Sequence, residues 1–160
     1  MADDTTLIAY DGSDNSRRAI RHAGRHLANR PALVLTAWIP LTRVTSRATV
    51  VATGGGSDEW AVPEPPEDPE SDIGLLDARV TNAEGVDLAR QAGIIAEGRC
   101  VRTTSTIWSA IIEVADEIDA ALIITGTRGA TGLRSLLHSS VAEHVLKHGH
   151  RPVFIVPPGR

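Results

Sequence analysis

Leu122-Ile123-Ile124-Thr125 is a run of β-favouring residues without a charge, and it stops at Gly126-Thr127-Arg128-Gly129. A strand that is apolar at successive positions has no face to give to solvent. It belongs inside a parallel sheet with helices packed on both sides. Gly126 and Gly129 allow a sharp turn at its end and close approach of backbone to a ligand. After the spacer Ala130 to His138, the pair Ser139-Ser140 and then Val141 open a helix. The free N–H groups and positive dipole end of that helix point back toward the turn. Strand, glycine turn and helix start together make a seat for an anion, most naturally a phosphate.

The rest of the chain reads as scaffold for that seat. Thr5 to Tyr10 is a short apolar run stopped by Asp11-Gly12-Ser13, a first strand and its turn. Ser13 is a good N-cap, and Ala19, Ile20, Ala23 and Leu27 then recur at helical spacing. Arg17, Arg18, Arg21 and Arg25 fall on the other side and read as the solvated face of that helix. Ala32 to Trp38 is a second, nearly continuous apolar strand. Residues 41 to 70, with Gly54-Gly55-Gly56 and four prolines between Pro63 and Pro69, fit no regular element. They read as a disordered insertion or, since they follow a strand's C-terminal end, a lid anchored by Trp60.

Ser71 to Ala92 returns to helical spacing, with Ile73, Leu76, Val80 and Ala83 as its expected apolar face and Gly74 and Gly85 as weak points. Ile94 to Val101 is a third strand containing Gly98, with Cys100 expected to face the core. Thr103 to Thr106 supplies several possible caps for a helix marked by Ile107, Ile111, Val114, Ala115 and Ile118. The last helix, about Ser140 to Lys147, has capping-box spacing between Ser140 and Glu143 and ends at Gly149. Pro152 to Val156 is the last strand. The alternation predicts one α/β domain over residues 1–160, a doubly wound parallel sheet of about five strands.

Composition narrows the function classes. Aromatic residues are 3% of the chain, so the core must be built from Val, Ile, Leu and Ala. A net charge of −4 argues against bulk attraction to nucleic acid or to an anionic membrane. No apolar run approaches the roughly 20 residues of a membrane span, and the acidic start of the chain is unlike a signal peptide. One cysteine allows no internal disulfide and fits a cytoplasmic protein.

The order of elements, with Asp11-Gly12-Ser13 after the first strand, Gly126-x2-Gly129, the nine-residue spacer before Ser139-Ser140, and Arg151-Pro152-Val153-Phe154-Ile155-Val156 at the end, resembles the universal stress protein family. The resemblance covers nearly the whole chain. It implies a five-stranded parallel sheet of order 3-2-1-4-5, as in adenine nucleotide alpha hydrolase-like folds, and a homodimer formed through the last strand. It also implies an adenine nucleotide, ATP with or without Mg2+, bound as part of a stress response. By position, Asp11 with its neighbours Gly12 and Ser13 would face the nucleoside, and backbone near Ala37 would meet the adenine. Thr125, Gly126, Thr127, Arg128 and Gly129 would admit the phosphates, and Ser139, Ser140 and Val141 would hold them. Ser139 stands where the family motif Gly-x2-Gly-x9-Gly has glycine; it keeps the amide and adds a hydroxyl. The Gly-Asp/Asn-Pro turn of the family is replaced by Ser105-Thr106-Ile107.

Other chemistries find less support. Gly126, Gly129 and Gly132 do not make the dinucleotide fingerprint, and there is no P-loop. His22 with His26, and His144 with His148, are four apart but lack an evident third metal ligand, so they read as exposed helix histidines. No general base can be singled out, which leaves at most a weak ATPase. The rival to nucleotide binding is a dimer with an empty pocket that acts as a protein interaction module.

Overall fold

The computed structural model describes residues 4–40, 72–127 and 141–159. The insertion read at 41 to 70, with Trp60, lies outside them. So do Arg128, Gly129, Ser139 and Ser140.

Among the described residues five strands alternate with four helices: β1 (Thr6–Ala9), α1 (Asp14–Gly24), β2 (Pro31–Trp38), α2 (Ile73–Gln91), β3 (Ile95–Arg102), α3 (Ile107–Glu117), β4 (Leu122–Gly126), α4 (Val141–His148) and β5 (Val153–Val156). The strands form one parallel sheet in the order β3-β2-β1-β4-β5. That order and the helices on its two faces are those implied by the family resemblance.

Strand alternation divides the core in two. Ile8, Val34 and Ile124 lie side by side across β1, β2 and β4 and pack under Ala19, Ile20 and Ala23 of α1 and Val86 and Ala89 of α2. Leu7, Leu35 and Ile123 point the other way, against Ile111, Val114 and Ala115 of α3 and Val145 of α4. Aliphatic side chains and alanines fill most of both layers, with Tyr10 buried among them in the first.

Local chemistry sets the ends of the elements. Ser13 caps α1 by accepting from the Ser16 amide, and Thr106 caps α3 by accepting from the Ser109 amide. Of the four candidate caps at 103 to 106, the structure uses the last. Pro31 opens β2, a position where a strand tolerates the missing N–H. β3 begins one residue later than expected, because Ile94 is spent on a buried turn whose amide donates to the Ala89 carbonyl.

The apolar face expected for α2 is not the buried one. Ile73, Leu76 and Val80 are 68%, 48% and 72% exposed, and Ala83 is also exposed. The helix instead buries Ala78, Asn82, Gly85, Val86 and Ala89. Small residues win because the helix lies close over the sheet. A Cβ on Gly85 would stand 2.6 Å from the Tyr10 ring, and one on Gly98 of β3 would stand 2.2 Å from Asn82 Oδ1. Asn82 is buried because it has work for its amide: Nδ2 donates toward the Val34 carbonyl, Thr36 Oγ1 and the Arg99 carbonyl. Gly85 and Gly98, which weaken the sequence pattern, are what allow this approach.

Candidate functional site

β1 feeds a helix on one face of the sheet and β4 leads toward a helix on the other. At this point the strand order reverses, and the two connections part. Between them, at the C-terminal ends of the strands, lies a cleft with about 640 Å³ not filled by protein, its open mouth included.

The walls come from six elements and the turns beside them. β1 and its turn contribute Tyr10, Asp11 and Ser13; α1 contributes Asn15 and Ser16; β2 contributes Leu35 and Ala37. Thr125, Gly126 and Thr127 close the β4 side, while Ile107 and Ile111 of α3 and Val141 and Ala142 of α4 form an apolar wall. Of the residues proposed from sequence, Asp11, Ser13, Ala37, Thr125, Gly126, Thr127 and Val141 therefore line one space. Gly12 does not. It takes φ +76° to turn the chain, and its missing side chain faces Thr81 of α2 at 3.2 Å.

The polar groups of the cleft are mostly committed. Asp11 Oδ1 accepts from the Ser13 amide at 3.0 Å, a turn that presents α1 to the cleft. Ser13 Oγ accepts from the Ser16 amide at 3.2 Å, and Ser16 Oγ donates to the Ser13 carbonyl at 2.9 Å. The first turn of α1 thus has its positive end at the cleft, with Asp14 in the first turn as dipole complement. Ala37 brings only a methyl group to the wall of the cleft.

Gly126 also serves a neighbour that the sequence did not point to. A Cβ there would stand 2.6 Å from the Asn15 carbonyl oxygen and 3.1 Å from the Ser16 nitrogen. Its missing side chain makes room for the backbone of α1. Asn15 completes the contact by donating from Nδ2 to the Thr127 carbonyl. Asn15, Ser16, Tyr10 and the α3 isoleucines were not picked out from sequence. The only available signal was that the turn after β1 and the start of α1 must face the same crevice as β4.

Tyr10 is 2% exposed, and among the described residues its hydroxyl has no hydrogen-bond partner of good geometry. Burial pushes its phenol up to about 12, and the Glu84 carboxylate adds to the shift. Cys100 is half-buried and its thiol is pushed up by burial, the reverse of a reactive cysteine. The second histidine pair is not simply solvated: Trp108 stacks on His144 at 5.1 Å and on His148 at 5.2 Å between ring centroids. Among the described residues no group of three or more His, Cys, Asp or Glu is placed to hold a metal, and no helix is long and apolar enough to cross a membrane.

Comparison with known proteins agrees with this architecture. The stress response protein NhaX of Bacillus subtilis is 25% identical to this chain over 96% of it and 97% of its own length. A universal stress protein of Methanocaldococcus jannaschii is 50% identical over 46 residues, 29% of this chain and 27% of that protein. Among solved structures, a universal stress protein in complex with cAMP superposes with a TM-score of 0.64 at 25% identity, covering 98% of both chains. A universal stress protein from Archaeoglobus fulgidus in complex with dAMP shares the fold at a TM-score of 0.63 and 22% identity, over 97% of this chain and 98% of that one. The profile of the Universal stress protein family matches residues 4–157, and the chain belongs to that family.

Proposed function

We propose that this protein binds an adenine nucleotide, ATP in the first place, in the cleft between β1 and β4, and acts as a regulator in a stress response. The observation that carries the reading is the meeting of Asp11, Ala37 and Thr125 to Thr127 in one cleft at the point where the strand order reverses. The cAMP complex of a 25% identical relative supports the choice of an adenine ligand. In this reading Asp11 faces the ribose and the backbone at Ala37 meets the base. The phosphates lie toward Thr127 and Val141, with Arg128, Gly129, Ser139 and Ser140 completing their seat. Asp11 is the one carboxylate among the described lining residues. Mg2+ in this reading enters on the triphosphate itself.

The same reading makes the protein a cytoplasmic homodimer. β5 is the last strand of the sheet, so one row of its backbone groups is open to pairing with a second copy through Pro152 to Val156.

Titration calorimetry with ATP, AMP and cAMP tests the ligand, and the mass of any small molecule released on denaturation tests it independently. ATP should raise the melting temperature of the wild type and leave Gly129→Val unmoved. An identical response in the two proteins removes the phosphate assignment.

A further inference from the structure

We propose that Asn15 is a positioning residue of the nucleotide site: by holding the Thr127 carbonyl from α1, it fixes the end of β4 on the side of the cleft where the phosphates lie. This inference rests on the nucleotide reading above and adds a residue to it.

Thr127 is 4% exposed and is gripped from both sides. Its amide donates to the Val156 carbonyl at 3.2 Å, extending the ladder to β5, and its carbonyl accepts from Asn15 Nδ2. Immediately before it, Gly126 lies against the backbone of Asn15 and Ser16, with no space for a Cβ. α1 and the exit of β4 therefore meet at two adjacent points, one steric and one a hydrogen bond. Both Asn15 and Thr127 also line the cleft.

The chemistry favours asparagine at this spot. Asn15 is the second residue of α1, where a short polar side chain costs a helix little. Its amide is a donor that reaches a carbonyl. A carboxylate in its place has no proton to give, and alanine leaves a buried carbonyl without its side-chain partner. Freed of this contact, Thr127 keeps its strand hydrogen bond but loses the restraint on the rotation of its carbonyl at the end of β4. A phosphate held by backbone amides is sensitive to such a rotation, while a base and ribose seated near Ala37 and Asp11 are not.

The test compares adenosine, AMP and ATP by titration calorimetry on the wild type, Asn15→Ser and Asn15→Asp. The expected result is a loss of about tenfold for AMP and ATP, the order of one well-placed hydrogen bond, with adenosine changed less than about twofold. Asn15→Asp should lose more than Asn15→Ser. Equal weakening of all three ligands overturns the positioning role while leaving the nucleotide reading intact. A wild type that binds none of them overturns both. Asn15→Ser is the gentler variant, and its circular dichroism and melting curve establish that it is folded before the affinities are compared.

Discussion

Tyr10 shows how much one side chain can report. It is the only tyrosine, it sits at the end of β1 beside the cleft, and its ring lies on α2 where Gly85 gives it room. Ultraviolet titration of the phenol should show a midpoint near about 12 in place of the ordinary 10.0. The folded protein holds that proton more tightly than the unfolded chain. The associated stability is therefore complete below pH 10 and is lost as pH rises toward about 12. Denaturant melts across that range should show the decline, and Tyr10→Phe should remove the part due to this group. Gly98→Ala tests the neighbouring contact. Its methyl would meet Asn82 Oδ1 and Val86 Cγ2 at 2.2 and 2.8 Å, so a loss of roughly 1–3 kcal/mol is expected in chemical unfolding. These glycines could be located in the sequence but not understood there, because the atoms they make room for are far away in the chain.

At the scale of the element, α2 carries the clearest difference between pattern and structure. Three of its large aliphatic side chains, Ile73, Leu76 and Val80, share a face, and that spacing alone assigns the face to the core. The sheet instead takes the side bearing Ala78, Asn82, Gly85 and Ala89, since small residues let the helix come down onto β2 and β3. Val80→Lys should therefore change stability by no more than about 0.5 kcal/mol, as a surface substitution does. Ala89→Lys, at a position 0% exposed, should prevent folding. Thermal melts of the two variants check this directly, and a large loss in Val80→Lys would reverse the assignment. α1 behaves as its pattern says, because Ala19, Ile20 and Ala23 are the only apolar residues it can offer. Its arginine face is solvated in part only: Arg17 bonds Glu84 of α2 through Nε at 2.7 Å and Nη2 at 3.3 Å.

Across the whole molecule, ion pairs of this kind tie helices to one another and to the sheet. Arg17 lowers the Glu84 carboxyl by hydrogen bonding, and Arg99 does the same for Glu117. A carboxyl lowered in the folded state contributes stability that is whole above the ordinary carboxylate range and disappears as pH falls through its folded value. The protein should therefore soften in acid. Glu84→Gln combined with Glu117→Gln should flatten the acid limb of the stability profile, and added salt should shrink the difference, since all four groups are partly exposed. The proposed dimer belongs to this scale as well. Light scattering should give twice the chain mass for the wild type and a monomer for Ile155→Pro, which removes one backbone donor from the edge strand.

The order of strands and helices could be read from the chain because it depends on local quantities. Apolar runs with no polar face require a sheet covered on both sides, and caps such as Ser13 and turns such as Asp11-Gly12 act within a few residues. The general place of the proposed site was read from the same kind of fact, since the turn after β1 and Gly126 at the end of β4 both lie at the C-terminal ends of their strands. What the chain could not reveal was who touches whom across those ends. Gly126 looks like a glycine kept for a ligand until α1 is seen resting on it, and Asn15 looks like an ordinary helix-start residue until Thr127 is beside it. Those assignments depend on distances between segments more than a hundred residues apart, and such distances are fixed by how closely the helices settle on the sheet.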